Sequence, residues 1–249
     1  MDLGGPLGPE VIRPKLLARR GPAIAAVLLA SWGLGQFFAC SRGPESYYPL
    51  AEGWVWEYRV TPVSLLERQG AADVVVTNIG TRDLRGKKVT VQKVDSRVAS
   101  HVLFVAEDGD GVFELATQAP GAVEPVLRTP PSYFLRYPIK PGTTWEGPGE
   151  TTLLRQNVSL TLRSTVETVG EVVTVPAGTF ERCVRVRSVG AAKAELRRLG
   201  GVADIDVEDY RWYAPGVGQV ASLRKERSNS LIVGSGEMSM QLRSYKKDR

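Results

Sequence analysis

The chain has 249 residues with 32 basic and 27 acidic side chains, enough for one large domain or two small ones and too evenly charged to single out a partner. One histidine and two cysteines exclude zinc sites built from several histidines and allow at most one internal disulfide. No Cys-x-x-Cys, Gly-x-Ser-x-Gly elbow, phosphate-binding loop or dinucleotide fingerprint is present, so the commonest catalytic and cofactor motifs are missing.

The first element is a leader. Arg13, Lys15, Arg19 and Arg20 form a basic patch, and residues 21–39 carry no charge, the pattern of an export signal. Pro22, Ser31, Gly33, Gly35 and Gln36 make it a weak permanent span. It ends in Phe37-Phe38-Ala39-Cys40, which resembles the bacterial lipobox. Ala39 and Cys40 match the motif; Phe37 is aromatic and Phe38 is larger than the motif takes. The resemblance implies cleavage after Ala39, palmitate-type acylation of Cys40 and a mature chain anchored by lipid. Ser41 rather than Asp after the cysteine resembles lipoproteins sent on to the outer membrane, facing the periplasm. An uncleaved anchor and ordinary secretion remain open, and every one of these readings exports residues 41 onward. Acylation of Cys40 leaves Cys183 without a partner in the chain; without it, a Cys40–Cys183 bridge is conceivable in an oxidising compartment. Export removes nucleic acid as a partner. The chain therefore divides into a signal peptide (1–39), a lipidated cysteine and tether (40–47) and a folded region (48–249).

The folded region reads as all-β, an antiparallel curved sheet forming a sandwich or barrel. In "GWVWEYRV" Trp54, Trp56, Tyr58 and Val60 fall on one face, as strand alternation requires. "VLFVAEDGDGVFELA", "EVVTVPAGTFERCVRV", "DYRWYAPGVGQVASL" and "NSLIVGSGEMSMQLRSY" each read as strand, turn, strand. Gly178 and Gly216 are expected in backbone conformations that a Cβ tolerates poorly. "AAKAELRRL" at 191–199 is a long strand or the only short helix. "YPLAEGWVW" and "YPIKPGTTW" share Tyr-Pro-aliphatic, Gly and Trp at equal spacing. They mark either two similar lobes (48–136 and 137–249) or two strand starts using the same chemistry.

"YYPLAEGWVWEY", "TVPAGTFERCVRV" and "WYAPGVGQVAS", in that order, resemble the TapB-like family of exported bacterial proteins. That resemblance implies an all-β envelope domain and brings no catalytic residues with it.

Four candidate sites follow. His101 opens the strand "HVLFV" and is expected to be a solvated strand-edge residue rather than part of a triad. Asp204, Asp206 and Glu208 share a strand face, which suits calcium poorly at about 6.6–7 Å per step. Ion pairs to Lys225 and Arg227 across an "APGVG" hairpin read better: Asp206 with Lys225 and Asp204 with Arg227, or Glu208 with Lys225 and Asp206 with Arg227. "EDGDG" at 107–111 is a hairpin turn rather than a calcium loop. Strict alternation places Cys183 with Arg185 and Arg187, which would favour a reactive thiolate; the alternative is a small buried hydrophobe.

No metal and no cofactor is expected, and no enzyme. Two functions fit an anchored β domain: a binding or assembly module for another envelope protein, or a carrier or sensor of an apolar ligand such as a lipid. Trp54, Trp56, Tyr58, Trp145 and Trp212 would line a packed core in the first case and a groove in the second. An interior filled with aromatic side chains favours the module, and a continuous apolar tunnel favours the carrier.

Overall fold

A computed structural model describes residues 46–64, 70–97, 100–196 and 200–247. The leader, Cys40 and the tether as far as residue 45 lie outside the described residues, as do the last residues of "AAKAELRRL". Twelve strands follow in the order β1 (Trp54–Ser64), β2 (Ala72–Leu84), β3 (Lys87–Ser96), β4 (Ser100–Asp108), β5 (Gly111–Gln118) and β6 (Val126–Arg136). The second six are β7 (Thr144–Glu150), β8 (Ser159–Val175), β9 (Gly178–Glu195), β10 (Val202–Ala214), β11 (Gly218–Ser228) and β12 (Gly236–Lys247). No helix occurs among the described residues, and Ala191–Glu195 extends β9.

All twelve belong to one antiparallel sheet, ordered 6-5-4-3-2-1-12-11-10-9-8-7. Each strand pairs with its neighbour in sequence, except that β1 also pairs with β12 and no ladder joins β6 to β7. The sheet curls until those two ends nearly meet, a barrel-shaped closure that leaves one seam. Trp145 Nε1 donates to Tyr133 O at 3.2 Å across that seam. Each Tyr-Pro motif immediately precedes a run of six strands, and the unpaired β6–β7 seam stands where the paired β12–β1 seam does in the other run.

Because every pairing is antiparallel, the loops divide between two ends. The turn end holds 85–86, 109–110, 137–143, 176–177 and 215–217, and the far end holds the rest. The expected turns occur here: Val175 faces Gly178 across Pro176–Ala177, and Gly178 and Gly216 have φ of 137° and 72°. The tip of the β8–β9 hairpin folds across the β10–β11 turn to β12, where the Ala177 N–H donates to Leu242 O at 3.0 Å. Val175, Cys183, Val220 and Leu242 pack together beneath it.

"NSLIVGSGEMSMQLRSY" does not form the expected hairpin. Residues 229–235 are a compact loop, and β12 alone follows. Local polar bonds compete with a strand there. The Ser228 hydroxyl accepts from the Ser230 N–H at 3.1 Å, Gly234 N–H donates to Ser230 O at 2.9 Å, and Asn229 binds Asp204 through backbone and side chain. Leu231 is left 86% exposed while Val233 packs with Leu154 and Ile205.

Candidate functional site: a cavity on the inner face

The strand β1 delivers Trp56 and Tyr58 inward, and both side chains are buried. Their polar atoms go to the β10–β11 turn: Trp56 Nε1 donates to Val217 O at 2.7 Å, and the Tyr58 hydroxyl to Gln219 O at 2.9 Å. Opposite Trp56 and Tyr58 on β2 stand Val76 and Val74, and the same face continues through Val94 and Gln92 on β3 to His101 and Leu103 on β4. Phe134 of β6 and Met240 of β12 close the ring. Together these side chains line a half-open cavity of about 230 Å³.

The lead-in to β1 forms part of the wall. Residues 46–53 pass along the inside of the sheet, with Ser46 O accepting from the Gly216 N–H at 2.8 Å. Tyr48 stacks on Phe134 with ring centroids 5.1 Å apart and planes 3° from parallel. Its hydroxyl donates to Gln92 Oε1 at 3.0 Å, Gln92 Nε2 donates to Asn78 Oδ1 at 2.9 Å, and Asn78 Nδ2 donates to the carbonyls of Pro49 and Ala51. Thr90 Oγ1 donates to Leu50 O at 2.9 Å. Burial pushes the Tyr48 and Tyr58 phenols well above their ordinary range, with the neighbouring tyrosines adding to the effect. Both are therefore neutral hydrogen-bond donors at any physiological pH.

The chemical character of the cavity follows from this wiring. The polar atoms of Tyr48, Trp56, Tyr58 and Gln92 are all bonded within the protein, so they offer a guest little. The remaining wall is aliphatic or aromatic apart from Gln219 and His101. His101 is half-buried on the inner face opposite Val94, and its side chain makes no hydrogen bond among the described residues. It is thus not the solvated edge residue expected from the sequence. Its place as second residue of a strand suggested exposure, but the sheet curls so that this strand end faces inward.

Beside this cavity the interior is more tightly packed, with a space of about 40 Å³ between Phe134, Trp145, Val186 and Arg211. Leu135, Trp145, Val166, Val184, Val186 and Tyr213 pack as one cluster beside Tyr48. The buried Tyr213 hydroxyl lies beside Arg211, which donates its Nε to Asp209 Oδ2 at 3.0 Å. Farther along β11, Glu226 is fully buried and accepts from the N–H groups of Thr152 and Leu153 and from Arg224 Nε at 2.7 Å. These bonds hold the β7–β8 loop over the far end of the sheet.

The five expected aromatics separate. Trp56 and Tyr58 line the cavity. Trp54 stacks on Trp56 at 5.5 Å and on Tyr245 at 6.3 Å, outside the cavity wall. Trp145 belongs to the filled cluster, and Trp212 is half-buried against Tyr210 at 6.0 Å. Tyr48, Leu103, Phe134 and Met240 were not singled out in the sequence. The signal for Tyr48 was the Tyr-Pro entry before β1, which reads as the start of a strand, and the curl of the sheet draws it inside.

Cys183 is not on the face of Arg185 and Arg187. Arg182 adopts φ 57° in an irregular stretch of the β8–β9 ladder, so that Cys183 and Val184 are both buried. Burial raises the thiol to about 11, with Glu171 adding to the rise, which opposes thiolate chemistry. Arg185 instead pairs with Glu167 and Glu171 at 3.0 and 3.1 Å. On β10 the register is Glu208 opposite Lys225 and Asp206 opposite Arg227, one of the two expected. The acidic side chains nevertheless bond to β9: Glu208 takes Arg187 at 2.7 Å and Asp204 takes Lys193 at 2.6 Å.

No family model matches the chain, and no curated protein does; the TapB-like resemblance draws no support from either. Two solved structures are similar in fold. One is a Bacteroides fragilis protein designated exported and YmcC-like in fold, at 16% identity and a TM-score of 0.45, covering 82% of this chain and 100% of its own. The other, designated a lipoprotein, is from Parabacteroides distasonis, at 16% identity and a TM-score of 0.42, with the same coverage.

Proposed function

We propose that the chain is an exported, non-enzymatic binding domain, anchored through Cys40 at the periplasmic face of the outer membrane, whose inner cavity takes up an apolar group. The observation that carries the ligand reading is the cavity of about 230 Å³ walled by Trp56, Tyr58, Val76, Leu103, Phe134 and Met240. A space of that size lined by apolar side chains favours an apolar guest over water, as an apolar cavity of about 150 Å³ stays dry and takes up benzene. It has room for a single ring or a short stretch of acyl chain rather than a whole lipid. Anchoring rests on the leader and on "FFAC".

The test uses the purified envelope protein and benzene as the probe, with uptake read by isothermal titration calorimetry. Wild type binds the probe saturably, and Leu103→Trp, which fills the cavity, binds it at least tenfold more weakly at an unchanged melting temperature. Equal binding by both proteins removes the ligand reading. A second reading, an assembly module for an envelope protein, is favoured by Leu231 and Ile232, which are 86% and 46% exposed at the tip of a loop fixed by its own serine and asparagine bonds. It requires that Leu231→Ser abolish a cross-link formed by wild type in the envelope.

A further inference from the structure

The single histidine of the chain stands in the wall of the cavity, and its side chain has no hydrogen-bond partner among the described residues. We infer that the guest of this cavity is a neutral, phenol-type ring whose one hydroxyl hydrogen-bonds the His101 imidazole. This rests on the cavity reading proposed above and adds the class of ligand to it.

Strand register puts His101 where a guest would meet it. Trp56 faces Val76, Val76 faces Val94 and Val94 faces His101, so one cross-strand row runs from β1 to β4. Two residues on, alternation brings Leu103 to the same face, and both side chains line the cavity. A neutral imidazole carries one N–H donor and one acceptor nitrogen in either tautomer. The other donors of the wall are spent inside the protein: the Tyr48 hydroxyl on Gln92, Trp56 Nε1 on Val217 O and the Tyr58 hydroxyl on Gln219 O. Polar groups withdrawn from water in folded proteins are nearly always hydrogen-bonded, and a guest in this cavity withdraws His101 from water and must supply its partner.

Size and charge narrow the guest. An apolar cavity of about 150 Å³ takes up benzene, so 230 Å³ leaves room for a ring carrying a small substituent. Trp56, Tyr58 and Phe134 present aromatic surface to it, which suits a ring through stacked or edge contacts. Among the described residues that line the cavity there is no Asp, Glu, Lys or Arg. The charged side chains that act on Tyr48 are Arg211 and Glu114, and each is paired, with Asp209 at 2.9 Å and Arg128 at 2.8 Å. Lys93 and Asp95, on either side of Val94, pair with each other at 2.9 Å. A carboxylate would therefore lose its water without gaining a cation or a set of donors, whereas a neutral hydroxyl needs only one good partner.

The experiment compares benzene, phenol and benzoate by isothermal titration calorimetry at neutral pH, on the purified envelope protein. Wild type binds phenol at least as tightly as benzene and at least about tenfold more tightly than benzoate. His101→Leu keeps a side chain of similar size; it binds phenol at least about fivefold more weakly, while its benzene affinity stays within about twofold of wild type. Because the chain has one histidine, the imidazole nitrogen signals of the untagged wild type report the contact without any substitution: phenol shifts them and benzene does not. Benzene binding without a preference for phenol, a preference that survives His101→Leu, imidazole signals that ignore phenol, or a preference for benzoate overturns this inference and leaves the cavity reading standing. Binding of neither benzene nor phenol removes the cavity reading, and this inference with it.

Discussion

Cys183 shows how a single backbone angle redirects a side chain's chemistry. Arg182 at φ 57° breaks the alternation of β9, and the thiol moves from the arginine face into the core. Its Sγ lies 3.4 Å from Phe180 O. A thiol whose pKa is about 11 when folded, above its value of 9.0 when free, binds its proton more tightly in the folded state. The stability it contributes is therefore complete below pH 9 and is lost as pH rises toward 11. Unfolding free energy falls across that window, and Cys183→Ala makes the fall shallower; tyrosines raised in the same direction, among them Tyr48, Tyr58, Tyr137 and Tyr213, contribute to what remains. At pH 8 the thiol resists iodoacetamide until denaturant is added, and stoichiometric labelling of the folded protein would contradict the burial. Gly111 is as strictly determined. It has φ 145°, and a Cβ there would meet Leu135 O at 2.0 Å. Gly111→Ala must push β6 away from β5, and an expected loss of about 2 kcal/mol or more shows as a lower denaturation midpoint at an unchanged m-value.

At the scale of strands and loops, the ion pairs divide sharply by burial. Glu226 is fully buried and collects two backbone N–H groups and Arg224, whose own Nη2 donates to Glu150 O at 2.5 Å. Glu226→Ala leaves buried Arg224 with only Asp209, 3.9 Å away, as a charged partner and frees the β7–β8 loop, for a cost of about 3 kcal/mol in urea unfolding. Lys193→Ala removes a 2.6 Å pair whose partners are 74% and 61% exposed, and its midpoint stays within error of wild type. The same distinction marks how much could be read in advance. Hairpins β4–β5, β8–β9 and β10–β11 are legible because Asp-Gly, Pro-Ala-Gly and Pro-Gly set their turns locally. The pairing of β1 with β12 is not legible, since nothing within either strand names a partner so distant in sequence. The cavity depends on that pairing, so Trp56 and Tyr58 could be marked as core or lining without their companions Phe134 and Met240. His101 was misread for the same reason: its exposure is set by the curl of the whole sheet. The loop 229–235 failed differently, because serine and asparagine bonds outcompeted an aliphatic triplet that otherwise reads as strand.

At the scale of the molecule, closure depends on the lead-in as much as on the ladders. The sheet has a seam between β6 and β7, and the 46–53 segment bridges its interior from Phe134 on one side to Gln92 and Asn78 on another. Tyr48 is the pivot, contributing a stacked ring and one hydrogen bond. Tyr48→Phe keeps the ring and leaves Gln92 Oε1 without that donor, a loss of about 1–3 kcal/mol for a buried unsatisfied acceptor. Tyr48→Ala removes the ring as well, and its cost rises to about 3–5 kcal/mol, as for other large aromatic deletions. The two variants separate structure from binding. Tyr48→Phe leaves the cavity volume unchanged and should take up benzene as wild type does. Tyr48→Ala enlarges the space beside Trp56 and should bind the probe more tightly, while unfolding at a lower urea concentration. If Tyr48→Ala is no less stable than Tyr48→Phe, residues 46–53 are a tether passing over the sheet, and the wall of the cavity must be assigned without them.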